Sequence, residues 1–196
     1  MIKIGLTGGI GSGKSMVSSL LEVLGVPVYE ADAESKKLTA TSPHIRSRLT
    51  DLFGESIYKG EEIDRKRLAA RIFTDPEALK QVNDIIHPEV GAHFLEWVSR
   101  QTTGICAIET AILFESGFDR LVDVSVMVYA PEELRIERVM ARDSACREDV
   151  MRRMRNQWAD ETKKTHSDYI IYNDGSRALL PQVRALIDGF HSGSRR

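Results

Sequence analysis

The chain has 196 residues, which suits one α/β core with at most one inserted subdomain. Its net charge of −2 and pI near 6.2 argue against a bulk nucleic-acid or anionic-membrane binder. No run approaches the ~18 apolar residues of a membrane span, and two cysteines, Cys106 and Cys146, are too few for a disulfide framework, so a cytoplasmic protein is expected.

In chain order, the first apolar run, Ile2 to Leu6, reads as a short buried strand. Directly after it comes Gly8-Gly9-Ile10-Gly11-Ser12-Gly13-Lys14-Ser15, a complete G-x-x-x-x-G-K-[ST] phosphate loop. The spacing predicts a helix over Ser15 to Leu24, with Val17, Leu20, Leu21 and Leu24 on one face and Gly25 as its stop. A strand that ends in a glycine-rich turn and opens a helix aims backbone N–H groups and the helix's positive end at one point, as a polyphosphate requires. In such a loop Lys14 reaches the β- and γ-phosphates and the Ser15 hydroxyl ligates Mg²⁺.

Further strands are expected at Val26 to Tyr29, Ile105 to Ile108, Val122 to Tyr129 and Tyr169 to Tyr172, alternating with helical patterns. That alternation implies a parallel sheet covered on both faces. The stretch between the second and third strands is longer than one crossover needs, so a helical insertion over 33–103 is expected. Within it, Ser42-Pro43, Asp64-Arg65, Asp75-Pro76 and His87-Pro88 each look like a cap or first-turn position, Asp75-Pro76 most clearly.

Several charged residues fall where ligands gather, at the carboxyl ends of parallel strands. Asp32 follows the second strand and is a candidate to orient or deprotonate an acceptor hydroxyl; an N-cap role for a helix from Ala33 is compatible with this. Glu109 ends the third strand, as a metal ligand or as a salt-bridged strand-end acid. Arg135, Arg138 and Arg142 share one helical face, with Glu137 and Asp143 interrupting the run. Arg138 and Arg142 are preferred as phosphate-neutralising groups over a merely solvated face. Arg147, Arg152, Arg153 and Arg155 extend a basic segment that suits a flap, so a lid is expected over 138–160. His87 reads most simply as a helix-entry residue before Pro88. The absence of an Asn-Lys-x-Asp turn lowers the option of a guanine-nucleotide switch; a kinase of a nucleoside monophosphate or another small hydroxyl substrate would share the loop and the arginines, and a nucleotide-dependent binding module stays open beside it.

The chain resembles the dephospho-CoA kinase family over nearly its whole length. The resemblance is carried by Gly5-Leu6-Thr7 with the phosphate loop, Ala31-Asp32, Ile85-Ile86-His87-Pro88, Leu113-Phe114-Glu115, Arg138 with Arg142-Asp143, Gln157, and Asn173-Asp174-Gly175. It implies a three-layer α/β fold, a parallel-sheet phosphate-loop kinase core with a helical substrate-binding insertion and a short lid. The implied reaction is ATP-dependent phosphorylation of the ribose 3′-hydroxyl of dephospho-CoA, with Mg²⁺ as cofactor. Implied catalytic residues are Asp32, Lys14, Arg138 and Arg142. ATP would be bound by Gly9, Gly11, Ser12, Gly13, Lys14, Ser15 and Met16, with Arg142 and Asn173. Substrate contacts fall to Thr7, Asp32, His87 and Leu113, and metal contacts to Ser15 and Glu109. ATP and dephospho-CoA are then the partners, with no nucleic acid and no membrane, for a monomer or weak homo-oligomer. The chain departs from the family pattern at Glu30, where an aspartate is usual, at Ala111, where a proline is, and at Lys163, where an arginine is.

Overall fold

The computed structural model describes residues 1–60, 62–72 and 75–192. In chain order the elements are β1 (Ile2–Thr7), α1 (Lys14–Val23), β2 (Val28–Glu30), α2 (Ala31–Thr41), α3 (Pro43–Phe53), β3 (Tyr58–Lys59), β4 (Glu62–Ile63), α4 (Arg65–Ile72), α5 (Pro76–Ser99), β5 (Ile105–Glu109), β6 (Val124–Tyr129), α6 (Glu132–Asp143), α7 (Arg147–Arg155), α8 (Asp160–His166), β7 (Tyr169–Tyr172) and α9 (Leu179–His191). They form two compact units, one of residues 1–29 with 100–196 and one of residues 30–99.

The first unit is built on a five-stranded sheet in the order β2-β5-β1-β6-β7. The pairs of β1 with β5, β1 with β6 and β6 with β7 are all parallel. Alternate residues of these strands, Ile4 and Leu6, Ile105 and Ala107, Val126 and Val128, point to one face and pack with Val17 and Leu21 of α1 and Val183 and Ile187 of α9. The period of two thus turns one set of β-branched and aliphatic side chains into a single core layer. On the other face Gly5 leaves room for Leu113, whose side chain would lie 2.8 Å from a Cβ at that position. Because β1 has β5 on one side and β6 on the other, its carboxyl end lies where the winding of the sheet reverses, the usual place for a ligand in an open α/β sheet.

The first helix ends as the sequence suggests, and the way it ends shifts the second strand. Gly25 adopts φ 84, its N–H donates to the Glu22 carbonyl, and Val26 N–H donates to the Leu21 carbonyl 2.9 Å away, which closes the helix in a Schellman motif. Val26 is therefore part of that turn, and β2 occupies Val28–Glu30 instead of Val26 to Tyr29. Likewise Val122 follows a 3-10 turn at Phe118–Leu121, so β6 starts at Val124.

In the second unit, α5 is the central element, packed by α2, α3 and α4. The caps at Ser42, Asp64 and Asp75 are present: the Ser42 hydroxyl accepts from Ile45 N–H, Asp64 from Arg67 N–H, and Asp75 from both Glu77 and Ala78 N–H. His87-Pro88 is the exception. It starts no helix; α5 runs unbroken through Pro88. The missing N–H costs a hydrogen bond, but Val82, Ile85, Ile86, Val90 and Phe94 are buried on both sides of the proline, and tertiary packing holds the two halves in line. His87 is thus a mid-helix residue, partly buried, and that burial pulls its pKa below the ordinary histidine value, with Asp84 opposing.

Candidate active site

The site begins at the carboxyl end of β1. Thr7 closes the strand, and Gly8 to Gly13 form a tight loop in which Ser12 N–H donates to the Gly9 carbonyl at 3.1 Å. Gly13 is the N-cap of α1 at φ 92, in the left-handed region, and a Cβ there would collide with the Asn173 side chain. Gly11, at φ 81, would carry a Cβ only 2.5 Å from the Arg135 carbonyl. Both positions are glycine because the backbone angle and the neighbour each forbid a side chain.

Lys14 stands at the head of α1 with its Nζ 3.0 Å from the Gly8 carbonyl and 3.8 Å from Glu109 Oε1. The ammonium is therefore held over the loop between a carbonyl and a carboxylate from β5, the strand next to β1. Ser15 and Met16 lie exposed on the first turn of α1, Met16 with 61% of its surface accessible. Thr7 and Ser12 are buried, and their hydroxyls have no hydrogen-bond partner among the described residues.

The underside of the loop is densely bonded. Arg135, 5% exposed, donates from Nη1 to the Ile10 carbonyl at 3.3 Å and pairs through Nη2 with Asp160 at 2.5 Å. Gln157 Oε1 accepts from Ile10 N–H at 3.0 Å, and Asn173 donates to the Ser12 carbonyl at 2.8 Å. Burial pushes the Asp160 carboxyl up, with the Arg135 guanidinium and then Lys163 opposing.

These contacts distribute the arginines differently from the expectation that placed function on Arg138 and Arg142 alone. Arg135 is the member of the row that reaches the loop's backbone. Arg138 is half-buried, and its Nη1 has no hydrogen-bond partner among the described residues, which leaves a desolvated donor beside Arg135. Arg142 is exposed and forked onto the Asp143 carboxylate at 2.7 and 3.1 Å, a carboxylate that Arg153 of α7 also grips at 2.7 Å. Arg142 is thus bonded within the α6–α7 pair and not to the loop. Those two guanidinium groups hold the Asp143 carboxyl far below the usual carboxylate range.

The remaining expected residues fall as follows. Asp32 is the second residue of α2 and exposed; Glu30 holds the N-cap position, so Asp32 is not the cap. Leu113 is fully buried with its side chain against Gly5, so that side chain belongs to the core. Asn173 commits its amide to the phosphate loop. Lys163, to which the sequence assigned no role, is fully buried: it pairs with Glu115 Oε1 at 2.8 Å and donates to the Ala111 carbonyl. Glu115 Oε1 also accepts from Trp158 N–H at 2.9 Å. Sequence reasoning missed Arg135 and Lys163 because a basic residue is usually solvated. For Arg135 the usable signal was its place directly before the buried apolar Ile136; the polar residues flanking Lys163, from Asp160 to His166, give no such signal.

A metal bound here would meet hard oxygen donors, the Ser15 hydroxyl and the Glu109 carboxylate. Among the described residues no group of three or more histidine, cysteine, aspartate or glutamate side chains is assembled to hold an ion. That donor set fits Mg²⁺, which keeps several waters and takes substrate phosphates as ligands in preference to an all-protein cage. Among the described residues no helix is long and apolar enough to cross a membrane.

Comparison with known proteins agrees with this geometry. The family model described as dephospho-CoA kinase matches residues 2–178. A dephospho-CoA kinase of Bacteroides fragilis is 52% identical over 187 residues, covering 95% of this chain and 91% of the relative, and one of Porphyromonas gingivalis is 47% identical, covering 96% and 94%. Among solved structures, TT1252 from Thermus thermophilus superposes with a TM-score of 0.83 at 35% identity, covering 100% of this chain and 98% of that one. A dephospho-CoA kinase from Campylobacter jejuni gives 0.70 at 26%, covering 98% of each chain. Shikimate kinase from Acinetobacter baumannii, at 17% identity and a TM-score of 0.56, shares the fold. Phosphate loop, sheet and relatives lead to one assignment: the chain belongs to the dephospho-CoA kinase family, the kinases of the last step of coenzyme A biosynthesis.

Proposed function

We propose that the chain transfers the γ-phosphoryl of ATP to the ribose 3′-hydroxyl of dephospho-CoA, with Mg²⁺ as the metal and the residues above in a specific division of labour. The observation that carries this reading is the placement of Lys14, held between the Gly8 carbonyl and Glu109 at the head of α1. From there its ammonium is poised for the β- and γ-phosphates, while the loop's backbone and the start of α1 supply a preorganised cradle that needs no rearrangement as charge develops. Mg²⁺, when bound, would be held by Ser15 with Glu109 nearby, and it would neutralise polyphosphate charge. Arg138 supplies a desolvated donor and Arg142 a second one once it leaves Asp143, both suited to the equatorial oxygens of a transferring phosphoryl group.

Asp32 is the group assigned to the acceptor. It lies in the first turn of the helix that directly follows β2, and a carboxylate there orients the hydroxyl or takes its proton. Glu30, one methylene longer than the family's aspartate, is a supporting group. The sheet-end location and the near-neutral charge favour small-molecule partners for a cytoplasmic monomer or weak homo-oligomer, with neither nucleic acid nor membrane as ligand.

The test is direct. Incubation with Mg²⁺, ATP and a panel of acceptors, followed by mass spectrometry, is expected to show one added phosphate on dephospho-CoA and release of ADP. Phosphorylation of adenylate or another acceptor with dephospho-CoA untouched would overturn the assignment.

A further inference from the structure

Ile10 is bonded from two directions and buried from a third. Its N–H donates to Gln157 Oε1 at 3.0 Å, and its carbonyl accepts from Arg135, itself paired with Asp160. Its side chain packs against a small separate core formed by Ile136, Val139 and Val150 of α6 and α7. Gln157 in turn donates its own N–H to the Met154 carbonyl at 3.0 Å, directly extending the last turn of α7. A phosphate-loop residue is therefore part of the core of the α6–α7 pair.

The peptide geometry makes this consequential. In a trans peptide the N–H and C=O are antiparallel, so fixing one end of the unit aims the other. With the Ile10 N–H turned to Gln157, the Gly9 carbonyl faces the other way, where it receives Ser12 N–H at 3.1 Å. With the Ile10 carbonyl turned to Arg135, the Gly11 N–H is aimed away from α6. Two peptide planes of the loop thus take their orientation from side chains of the helical pair and the segment after it.

We propose that Ile10 and Gln157 couple the α6–α7 lid to the phosphate loop, which makes Gln157 a positioning residue for ATP. Moving α7 moves Gln157 and the apolar seat of Ile10 together, so the loop's phosphate-binding geometry and the lid's position form one cooperative element. The proposal rests on the reading of the loop as the ATP site.

The experiment compares Gln157→Met, which keeps size and removes the acceptor, with Ile10→Ala, which empties the apolar seat and keeps the backbone, and with the double variant. Nucleotide affinity is read by calorimetry with Mg²⁺ and ATP in the absence of any acceptor, alongside KM for each substrate. Each single variant is expected to weaken ATP binding about five- to tenfold, the scale of one lost hydrogen bond for Gln157→Met and of lost apolar packing for Ile10→Ala. KM for dephospho-CoA should stay near the wild-type value, and the double variant should lose less than the product of the two. Unchanged ATP affinity, or a fall in kcat with lowered Tm and unmoved KM for ATP, would mark a purely structural role and overturn the coupling; fully multiplicative losses would do the same. If Gln157→Met does not fold, amide exchange in the wild-type protein decides: ATP should slow exchange at Ile10 and across α7 in parallel, and slowing at the loop alone overturns the proposal. Because binding is measured without an acceptor, failure to phosphorylate dephospho-CoA would defeat the substrate assignment and leave this result standing.

Discussion

Arg135 and Arg142 lie seven residues apart on the same face of α6, and the fold gives them opposite environments. Arg135 is enclosed, touches the backbone of the phosphate loop and meets a carboxylate that burial disfavours as an anion. Arg142 has 61% of its side chain exposed and shares Asp143 with Arg153 at the far end of the helix. Enclosure, not spacing, separates them. A guanidinium removed from water needs its partners permanently and so becomes part of the scaffold, whereas an exposed one trades partners at little cost and can serve a ligand.

The comparison is open to attack from both sides of the loop. The largest expected effect lies on the ligand side: Lys14→Ala should lower turnover about 10²- to 10³-fold, ~2.7 to 4 kcal/mol of barrier, with a smaller fall in the unfolding midpoint than Arg135→Met, because the Lys14–Glu109 contact it removes is long, at 3.8 Å. Steady-state kinetics beside urea denaturation tests this, and a folded, fully active variant would remove Lys14 from the reaction. On the scaffold side, Arg135→Met leaves Asp160 with its main cation gone. Breaking a buried pair by removing one partner costs about 3 kcal/mol, so the urea midpoint should fall markedly, whether or not nucleotide is present.

Arg142→Ala should give the reverse pattern, a loss of about 10- to 100-fold in turnover, below the scale of a full arginine finger, with little change in Tm. Combined with Arg138→Ala its effect should be less than additive, since both act on one charge. Small, equal and additive effects would return both arginines to the solvated surface.

The smallest effect is in the acid titration. Arg142 and Arg153 depress the Asp143 pKa below its unfolded value of 3.8, so the native state holds fewer protons than the unfolded one there. The stability this supplies is present above that pH and is lost as the pH falls toward the native pKa. Asp160 has the opposite sign: burial raises its pKa, so between 3.8 and that higher value its contribution weakens as the pH rises. Tm measured from pH 3 to 6 should therefore lose part of its acid slope in Asp143→Asn, and become steeper in Asp160→Asn. Equal slopes in the two variants would contradict the contrast.

Much of this molecule was legible in the chain itself. The phosphate loop between a strand and a helix, Gly25 as a stop, the caps at Ser42, Asp64 and Asp75, and the alternation of strands with helices are local features. Each is set by the backbone angles, hydrogen-bond capacity or periodicity of a few neighbouring residues, so they can be read without knowing what packs against them. The tertiary structure decided the rest. It carried α5 through Pro88, because apolar contacts from α2, α3 and α4 outweigh one missing hydrogen bond. It also buried Lys163 against Glu115 and the Ala111 carbonyl, and it chose Arg135 over its neighbours as the support of the loop. Whether a charged side chain is solvent-facing or enclosed depends on elements distant in sequence, Ile10 with Asp160 for Arg135 and Ala111 with Glu115 for Lys163. The sequence therefore determined the phosphate-loop motif and its place between a strand and a helix, and the packing determined which basic residue touches the backbone of that loop.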